Sequence, residues 1–100
     1  MSPFPPPGLG PGGPMGDPRR CFVYNNGVIA GSFSDMGGGQ WIERNNQNPG
    51  IMFQEVGRTP EFVELIDPAR NHGARLFNNM SFHRPPGSPV WGPLYPGRWQ

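Results

Sequence analysis

The chain has 100 residues, of which 16 are Gly and 15 are Pro, with 34% hydrophobic and 15% charged residues. This composition excludes a helical bundle or a coiled coil, because Gly and Pro are the costliest residues in a helix interior. The Gly and Pro residues follow no three-residue period, which excludes a collagen-like triple helix. No apolar stretch is long enough for a membrane-spanning helix. The net charge is +1, with eight arginines and no lysine. The sequence lacks the clustered basic residues that form the basic face of nucleic-acid-binding proteins.

Residues 1–20 contain seven of the prolines and five of the glycines. So few side chains there can pack that we expect a disordered tail, followed by one small domain over residues 21–100. The first residues have neither the basic region nor the apolar region of a signal peptide. Cys21 is the single cysteine, so no disulfide can form within the chain. Both features favour a reducing compartment, and we expect a cytoplasmic protein.

Residues 21–25 alternate large and small apolar side chains, which is the pattern of a strand. A second apolar run follows at residues 28–33. Asn26-Gly27 lies between the two runs, and this pair is typical of a type I′ turn, in which both central residues need a positive φ. The sequence therefore predicts a tight hairpin.

The middle of the chain continues as short strands, predicted at residues 40–44 and 51–56. A glycine-rich loop at 35–39 precedes them, and the polar run 45–50 separates them. Residues 61–66 suit either a two-turn helix, with Thr59 as its N-cap and Pro60 in its first turn, or a strand. We favour the strand, because the segment is short for a helix and Asp67-Pro68 begins a turn.

A second hairpin is predicted around Asn78-Asn79, between residues 74–77 and 80–83. The turn-dense segment 84–100 has aromatic residues that should lie against the sheet. The predicted fold is all-β, an antiparallel meander of six to eight short strands that forms a small barrel or rolled sheet. Seven aromatic residues fall at strand positions and are predicted as core: Phe22, Phe33, Trp41, Phe53, Phe62, Phe77 and Phe82.

The sequence contains no catalytic or metal-binding signature. Cys21 with His72 or His83 could supply a nucleophile and a base, but no motif brings them together. One cysteine and two histidines at these spacings match no set of metal ligands. We therefore predict no catalytic residue, no metal and no cofactor.

Four motifs in residues 21–99 together resemble a pattern of short uncharacterised bacterial proteins. They are Gly39-x-Trp41-x-Glu43, Phe53-x-Glu55-x-x-Arg58-Thr59, Phe62-Val63-Glu64-Leu65-x-Asp67-x-x-Arg70 and Gly97-x-Trp99. The resemblance implies a β-rich module and assigns no chemistry. Gly-x-Trp alone also resembles the lipocalin signature. The chain is too short for that barrel, and Gly39-x-Trp41 falls in the third predicted strand instead of the first.

These observations favour a non-enzymatic β module that acts by protein binding or by self-association. Its partner would be an unknown protein or a second copy of the chain, and no membrane partner is expected. The candidate contact surface consists of Trp91, Tyr95, Arg98 and Trp99, because aromatics and arginine concentrate near the C-terminal end. The alternative is single-stranded nucleic-acid binding through arginine and aromatic side chains. The near-zero net charge makes nucleic acid the less favoured partner.

Overall fold

The computed structural model describes residues 17–100, which form eight antiparallel strands and, within that range, no helix. The strands are β1 (Cys21–Asn25), β2 (Ala30–Gly37), β3 (Gln40–Asn45), β4 (Asn48–Arg58), β5 (Val63–Asp67), β6 (His72–Leu76), β7 (Met80–Arg84) and β8 (Gly92–Trp99). No helix in this part of the chain is long and apolar enough to cross a membrane.

Each strand pairs with the next along the chain, and β8 returns to pair with β1, so the sheet closes into a barrel. The predicted all-β meander is confirmed, with eight strands and full closure. Eight is also the strand number of lipocalin-type barrels. It is reached here in few residues because the strands are short and several connections have only two or three residues. Of the predicted tail, residues 1–16 lie outside the described residues.

Both predicted hairpins form, but neither has a type I′ turn. The connection between β1 and β2 covers residues 26–29, and of these only Gly27 has a positive φ. Asn26 shapes this connection instead, since its Oδ1 accepts hydrogen bonds from the amides of Val28 and Ile29. In the second hairpin the amide of Phe77 donates to the carbonyl of Met80, and the two asparagines between them keep negative φ.

Residues 63–67 form strand β5, so the strand alternative for the ambiguous segment 61–66 is confirmed. The turn-dense segment 84–100 contains strand β8, which the sequence did not delimit. Its prolines, Pro93 and Pro96, are exposed on the outside of the barrel, and the pairing with β7 shifts register between them. A bulged edge of this kind accommodates proline, which has no amide hydrogen to donate.

The barrel interior is filled by alternate residues of the strands. The buried apolar core consists of Phe22, Tyr24, Phe33, Trp41, Phe53, Val63, Leu65, Ala74 and Leu76. Four of the seven aromatics predicted as core belong to it, whereas Phe62, Phe77 and Phe82 do not. These three rings cluster on the outer face. Ala74 and Leu76 point inward, so Arg75 between them points outward, and its strand partner Phe82 does the same.

The two ends of the barrel differ in how they are covered. We call one the closed end. It has the connections 38–39, 59–62 and 77–79, together with residues 17–20. We call the other the mouth, and it has the connections 26–29, 46–47, 68–71 and 85–91. Residues 17–20, which the sequence placed in the tail, pack against the barrel at the closed end, where Arg19 Nη1 donates to the carbonyl of Thr59 at 2.7 Å.

A network of charges fills the closed end. The guanidinium of Arg58 donates to both oxygens of Glu55 at 2.9 and 2.8 Å and to Asp17 at 2.8 Å. Trp41 Nε1 donates to the same Glu55 carboxylate at 3.0 Å. Glu55 faces inward by alternation with Phe53, and a bulge between Glu55 and Gly57 turns Arg58 inward as well, opposite the core residue Val63. Without that extra residue, simple alternation would place Arg58 on the outside.

Candidate functional site: the mouth of the barrel

The mouth contains polar side chains that the barrel geometry directs inward. Glu43 and Asn45 follow Trp41 at alternate positions of β3, and Tyr24 follows Phe22 in the same way on β1. Since successive side chains of a strand point to opposite faces, a residue two positions from a core residue also faces the core. Glu43 and Tyr24 are accordingly buried, with 7% and 3% of their surface exposed.

A chain of hydrogen bonds links three of these side chains. Asn45 Nδ2 donates to the hydroxyl oxygen of Tyr24 at 3.0 Å, and this hydroxyl donates to Glu43 Oε2 at 2.6 Å. The Tyr24 hydroxyl therefore accepts one hydrogen bond and donates the other, and the Glu43 carboxylate is the final acceptor of the chain. The short distance is typical of a hydrogen bond to an ionised acceptor.

Tyr95 of β8 covers one side of this group. Its ring stacks on that of Tyr24 with centroids 4.2 Å apart and planes 6° from parallel. A cavity of about 180 Å³ opens beside the pair. The side chains that line it are mostly polar: Glu43, Asn45, Gln47, Asn48, Ile51, Arg70, His72, Leu94 and Tyr95.

Burial shifts the pKa values of the acidic groups in the mouth. The pKa of Glu43 is raised, because burial disfavours the charged carboxylate more than the hydrogen bond from Tyr24 and the charge of Arg70 favour it. Burial and the bond to Glu43 raise the pKa of Tyr24. Burial, together with the charge of Glu43, also raises the pKa of Tyr95. Both phenols are therefore neutral at pH 7.

Two histidines meet at the edge of the mouth. His72 Nε2 and His83 Nδ1 lie 3.0 Å apart, so one ring donates to the other. Burial lowers the pKa of His72, and the charge of Arg70 and the neighbouring His83 lower it further. Within residues 17–100, Nδ1 of His72 is buried without a hydrogen-bond partner. This ring therefore has hydrogen-bonding capacity that the described residues do not use.

Arg70 supplies the positive charge of the mouth. It lies in the connection from β5 to β6, where its Nε donates to the buried carboxylate of Asp67. Burial alone would raise the pKa of Asp67, but the bonds from Arg70 and the amide of Ala69 hold it below its ordinary value. Asn71 follows with a φ of 52°, a left-handed conformation that asparagine tolerates. The side chain of Arg70 remains 46% exposed, so its terminal nitrogens face the solvent.

The four residues predicted as a contact surface lie in four different places. Tyr95 lines the mouth. Trp99 points inward near the closed end, with its ring edge-on to Phe22 at 5.4 Å and to Trp41 at 6.3 Å. Trp91 lies on the outer face over Gly73. Arg98 is exposed on the outer side of β8, beside a depression of about 410 Å³ over β1.

Sequence reasoning missed most of the mouth. Glu43 and Tyr24 are 19 positions apart, and the His72–His83 contact is a diagonal across the β6–β7 pair. The sequence did contain one signal: Glu43 lies two positions after Trp41, so both side chains point to the same face of the strand.

The structure separates the cysteine from the histidines. Cys21 begins β1 at the closed end, where its thiol is 3.6 Å from Ser34 Oγ, whereas both histidines lie at the mouth. Within residues 17–100, no group of three or more His, Cys, Asp or Glu side chains is placed to hold a metal ion. Around its small cavity the mouth offers the buried carboxylate of Glu43, the guanidinium of Arg70 and several side-chain amides. Comparisons of this chain with protein-family models, with curated proteins and with solved structures find no match.

Proposed function

We propose that this protein is a binding module that holds a small polar molecule in the mouth of its barrel. The observation that carries the proposal is Glu43, a carboxylate that is 7% exposed and accepts its short hydrogen bond of 2.6 Å from a neutral phenol, at the wall of an open cavity. Small eight-stranded barrels have room for side chains or for one small ligand at this position.

The electrostatic argument starts from the cost of burying Glu43. An ionised carboxylate has about four acceptor positions, and Tyr24 occupies one. A buried charge with so few partners is unfavourable, and a ligand that donates to it recovers part of that free energy. At the closed end, by contrast, Glu55 receives two bonds from Arg58 and one from Trp41. Glu43 is thus the carboxylate at the mouth that is left available.

Arg70 defines the opposite side of the ligand. Its Nε is bonded to Asp67 while the rest of its guanidinium is exposed, and it lines the same cavity as Glu43. A ligand with hydrogen-bond donors at one end and an anionic or acceptor group at the other matches both charges. The cavity of about 180 Å³ equals the liquid volume of about six water molecules. The ligand class is therefore a compact zwitterion or amide of amino-acid size.

The test uses glycine, methylamine and acetate as probes for the full chain. Glycine carries both an ammonium and a carboxylate group, whereas methylamine carries only the ammonium and acetate only the carboxylate. We expect backbone amide shifts at Glu43, Asn45 and Arg70 in NMR titrations, with glycine binding tighter than methylamine or acetate. Glu43→Gln and Arg70→Gln should each weaken glycine binding at least about tenfold, as expected for the loss of a charged hydrogen bond.

The matched controls are Glu61→Gln at the closed end and Arg44→Gln on the outer face of β3, which remove the same charges at exposed positions that do not line the cavity. Both should bind glycine like the unchanged chain. Equal binding of all three probes, or an equal loss in the controls, would show that the shifts arise from unspecific charge effects and would contradict the proposal.

A further inference from the structure

The outer face of the barrel has a second aromatic cluster, separate from the core. We call it the outer aromatic surface. It consists of Phe62, Arg75, Phe77, Phe82, Arg84 and Trp91. The rings of Phe62 and Phe77 are 5.1 Å apart, and those of Phe77 and Phe82 are 5.3 Å apart. All three phenylalanines are only half-buried.

Arg75 orders this surface. Its guanidinium lies 4.1 Å from the ring of Trp91 and 4.8 Å from that of Phe62, while Glu64 accepts from its Nε at 3.1 Å. The outer edge of the Trp91 ring in turn lies against β6, since a Cβ on Gly73 would come within 2.8 Å of it. Between these rings is a shallow cavity of about 210 Å³ lined by Arg75, Phe77, Phe82 and Trp91.

We propose that the outer aromatic surface is the docking site of the proline-rich segment of this same chain, residues 1–16. Shallow grooves lined by aromatic rings are the surfaces that recognise polyproline conformations, which lose little entropy on binding. The segment contains Phe4-Pro5-Pro6-Pro7 and three further prolines. The composition of the segment therefore matches the chemistry of the groove.

The anchoring of residues 17–19 places the segment beside this surface. Asp17 is bonded to Arg58, and Arg19 donates to the carbonyl of Thr59. Thr59 and Phe62 are joined by a tight turn, in which the amide of Thr59 donates to the carbonyl of Phe62 at 2.8 Å. The point where residues 1–16 join the barrel is therefore close to Phe62. At about 3.1 Å per residue, the distance from Asp17 to Phe4 allows about 40 Å of reach.

The test measures paramagnetic relaxation in the full chain. A spin label is attached through Ser2→Cys in a Cys21→Ser background, and Cys21 makes only weak side-chain contacts with Ser34 and Gln100. Docking should broaden the indole signal of Trp91 and the amide signals of Arg75 and Phe82 several-fold more than those of Arg44 and Met52 on the opposite side. Replacing Pro5, Pro6 and Pro7 together by serine should abolish the difference, and so should Trp91→Ala.

Two outcomes would overturn the proposal. Broadening that is spread evenly over the closed end would show that the segment does not dock. In a mixture of spin-labelled unenriched chain and ¹⁵N-enriched unlabelled chain, broadening at the outer aromatic surface would show that the segment of a second copy, and not the chain's own, occupies it. Neither result would affect the mouth, so failure here leaves the proposed function standing.

Discussion

The two ends of this barrel treat buried charge in opposite ways. At the closed end, the carboxylates of Glu55 and Asp17 are each paired with Arg58, and all three side chains are 9–13% exposed. At the mouth, Glu43 is buried as well, and its short hydrogen bond comes from the neutral phenol of Tyr24. Pairing with hydrogen bonds offsets the cost of removing a charge from water, and a neutral partner offsets less of it. Pairing with Arg58 therefore stabilises the charges of Glu55 and Asp17 at the closed end, and the proposed ligand would supply the missing partner of Glu43 at the mouth.

The largest expected effect is at the closed end. Arg58→Ala removes the shared partner of Glu55 and Asp17 and leaves both carboxylates partly buried without a counter-charge. We expect a loss of about 3 kcal/mol in the free energy of unfolding, measured by denaturant unfolding with tryptophan fluorescence. Arg44→Ala, on an exposed position of β3, is the control and should change stability by less than about 0.5 kcal/mol. Equal losses of stability in the two variants would show that pairing with Arg58 does not stabilise the closed end.

The second prediction concerns acid stability. Burial alone would raise the pKa of Asp17, but hydrogen bonds from Arg19 and Arg58 hold it well below its ordinary value. A carboxyl with a lowered pKa in the folded state contributes stability above its unfolded pKa, near 3.9, and this is lost as the pH falls. Asp17→Asn should therefore be less stable at neutral pH and should lose less stability between about pH 4 and pH 2. An unchanged slope in that range would contradict the assignment.

The third prediction concerns the hydrogen-bond chain of the mouth. Tyr24→Phe removes the donor to Glu43 and the acceptor of Asn45, at a cost of about 1 kcal/mol. Because the bond from Tyr24 lowers the pKa of Glu43, the variant should raise this pKa further, as measured by an NMR titration of the Glu43 carboxyl carbon. Tyr95→Phe is the control, since Tyr95 contacts Tyr24 through its ring. A fall in the Glu43 pKa in Tyr24→Phe would refute the role given to the phenol.

The smallest expected effect on stability is that of Glu43→Gln. The folded pKa of Glu43 is raised, so the folded chain binds more protons than the unfolded chain above about pH 4.3, and stability falls as the pH rises through this range. The amide avoids this penalty, and we expect a gain of up to about 1 kcal/mol at pH 7 together with the loss of glycine binding. If Glu43→Gln instead lowers the free energy of unfolding by more than about 1 kcal/mol, Glu43 is a structural residue.

The sequence predicts the architecture better than the site. Period-two alternation located β1, the turn at Asp67-Pro68 favoured a strand for β5, and the asparagine pairs marked two hairpins. Alternation does not tell which face points inward, and Phe62, Phe77 and Phe82 were predicted as core although they lie outside. The residues that point inward can be identified only once the strand register is known. Glu55 and Arg58, for example, pair with the buried residues Leu65 and Val63.

The mouth was harder to predict because its members come from distant strands. His72 and His83 meet only through the pairing of Ala74 with His83, and Tyr95 reaches Tyr24 only because β8 pairs with β1. The bulge that brings Arg58 inward has no signature in a single sequence beyond Gly57. Local patterns therefore identify strands, whereas the chemistry of both ends depends on barrel closure.

That closure has a kinetic consequence. The last ladder joins Phe22 to Trp99 and Tyr24 to Gly97, which are close to the two ends of the described chain. Contacts between residues so far apart in sequence form slowly, because a long loop must be ordered before they contribute. Until then β1 and β8 are unpaired edges that can join the complementary strand of a second molecule. Refolding at high concentration should therefore yield strand-exchanged dimers that dilute refolding avoids.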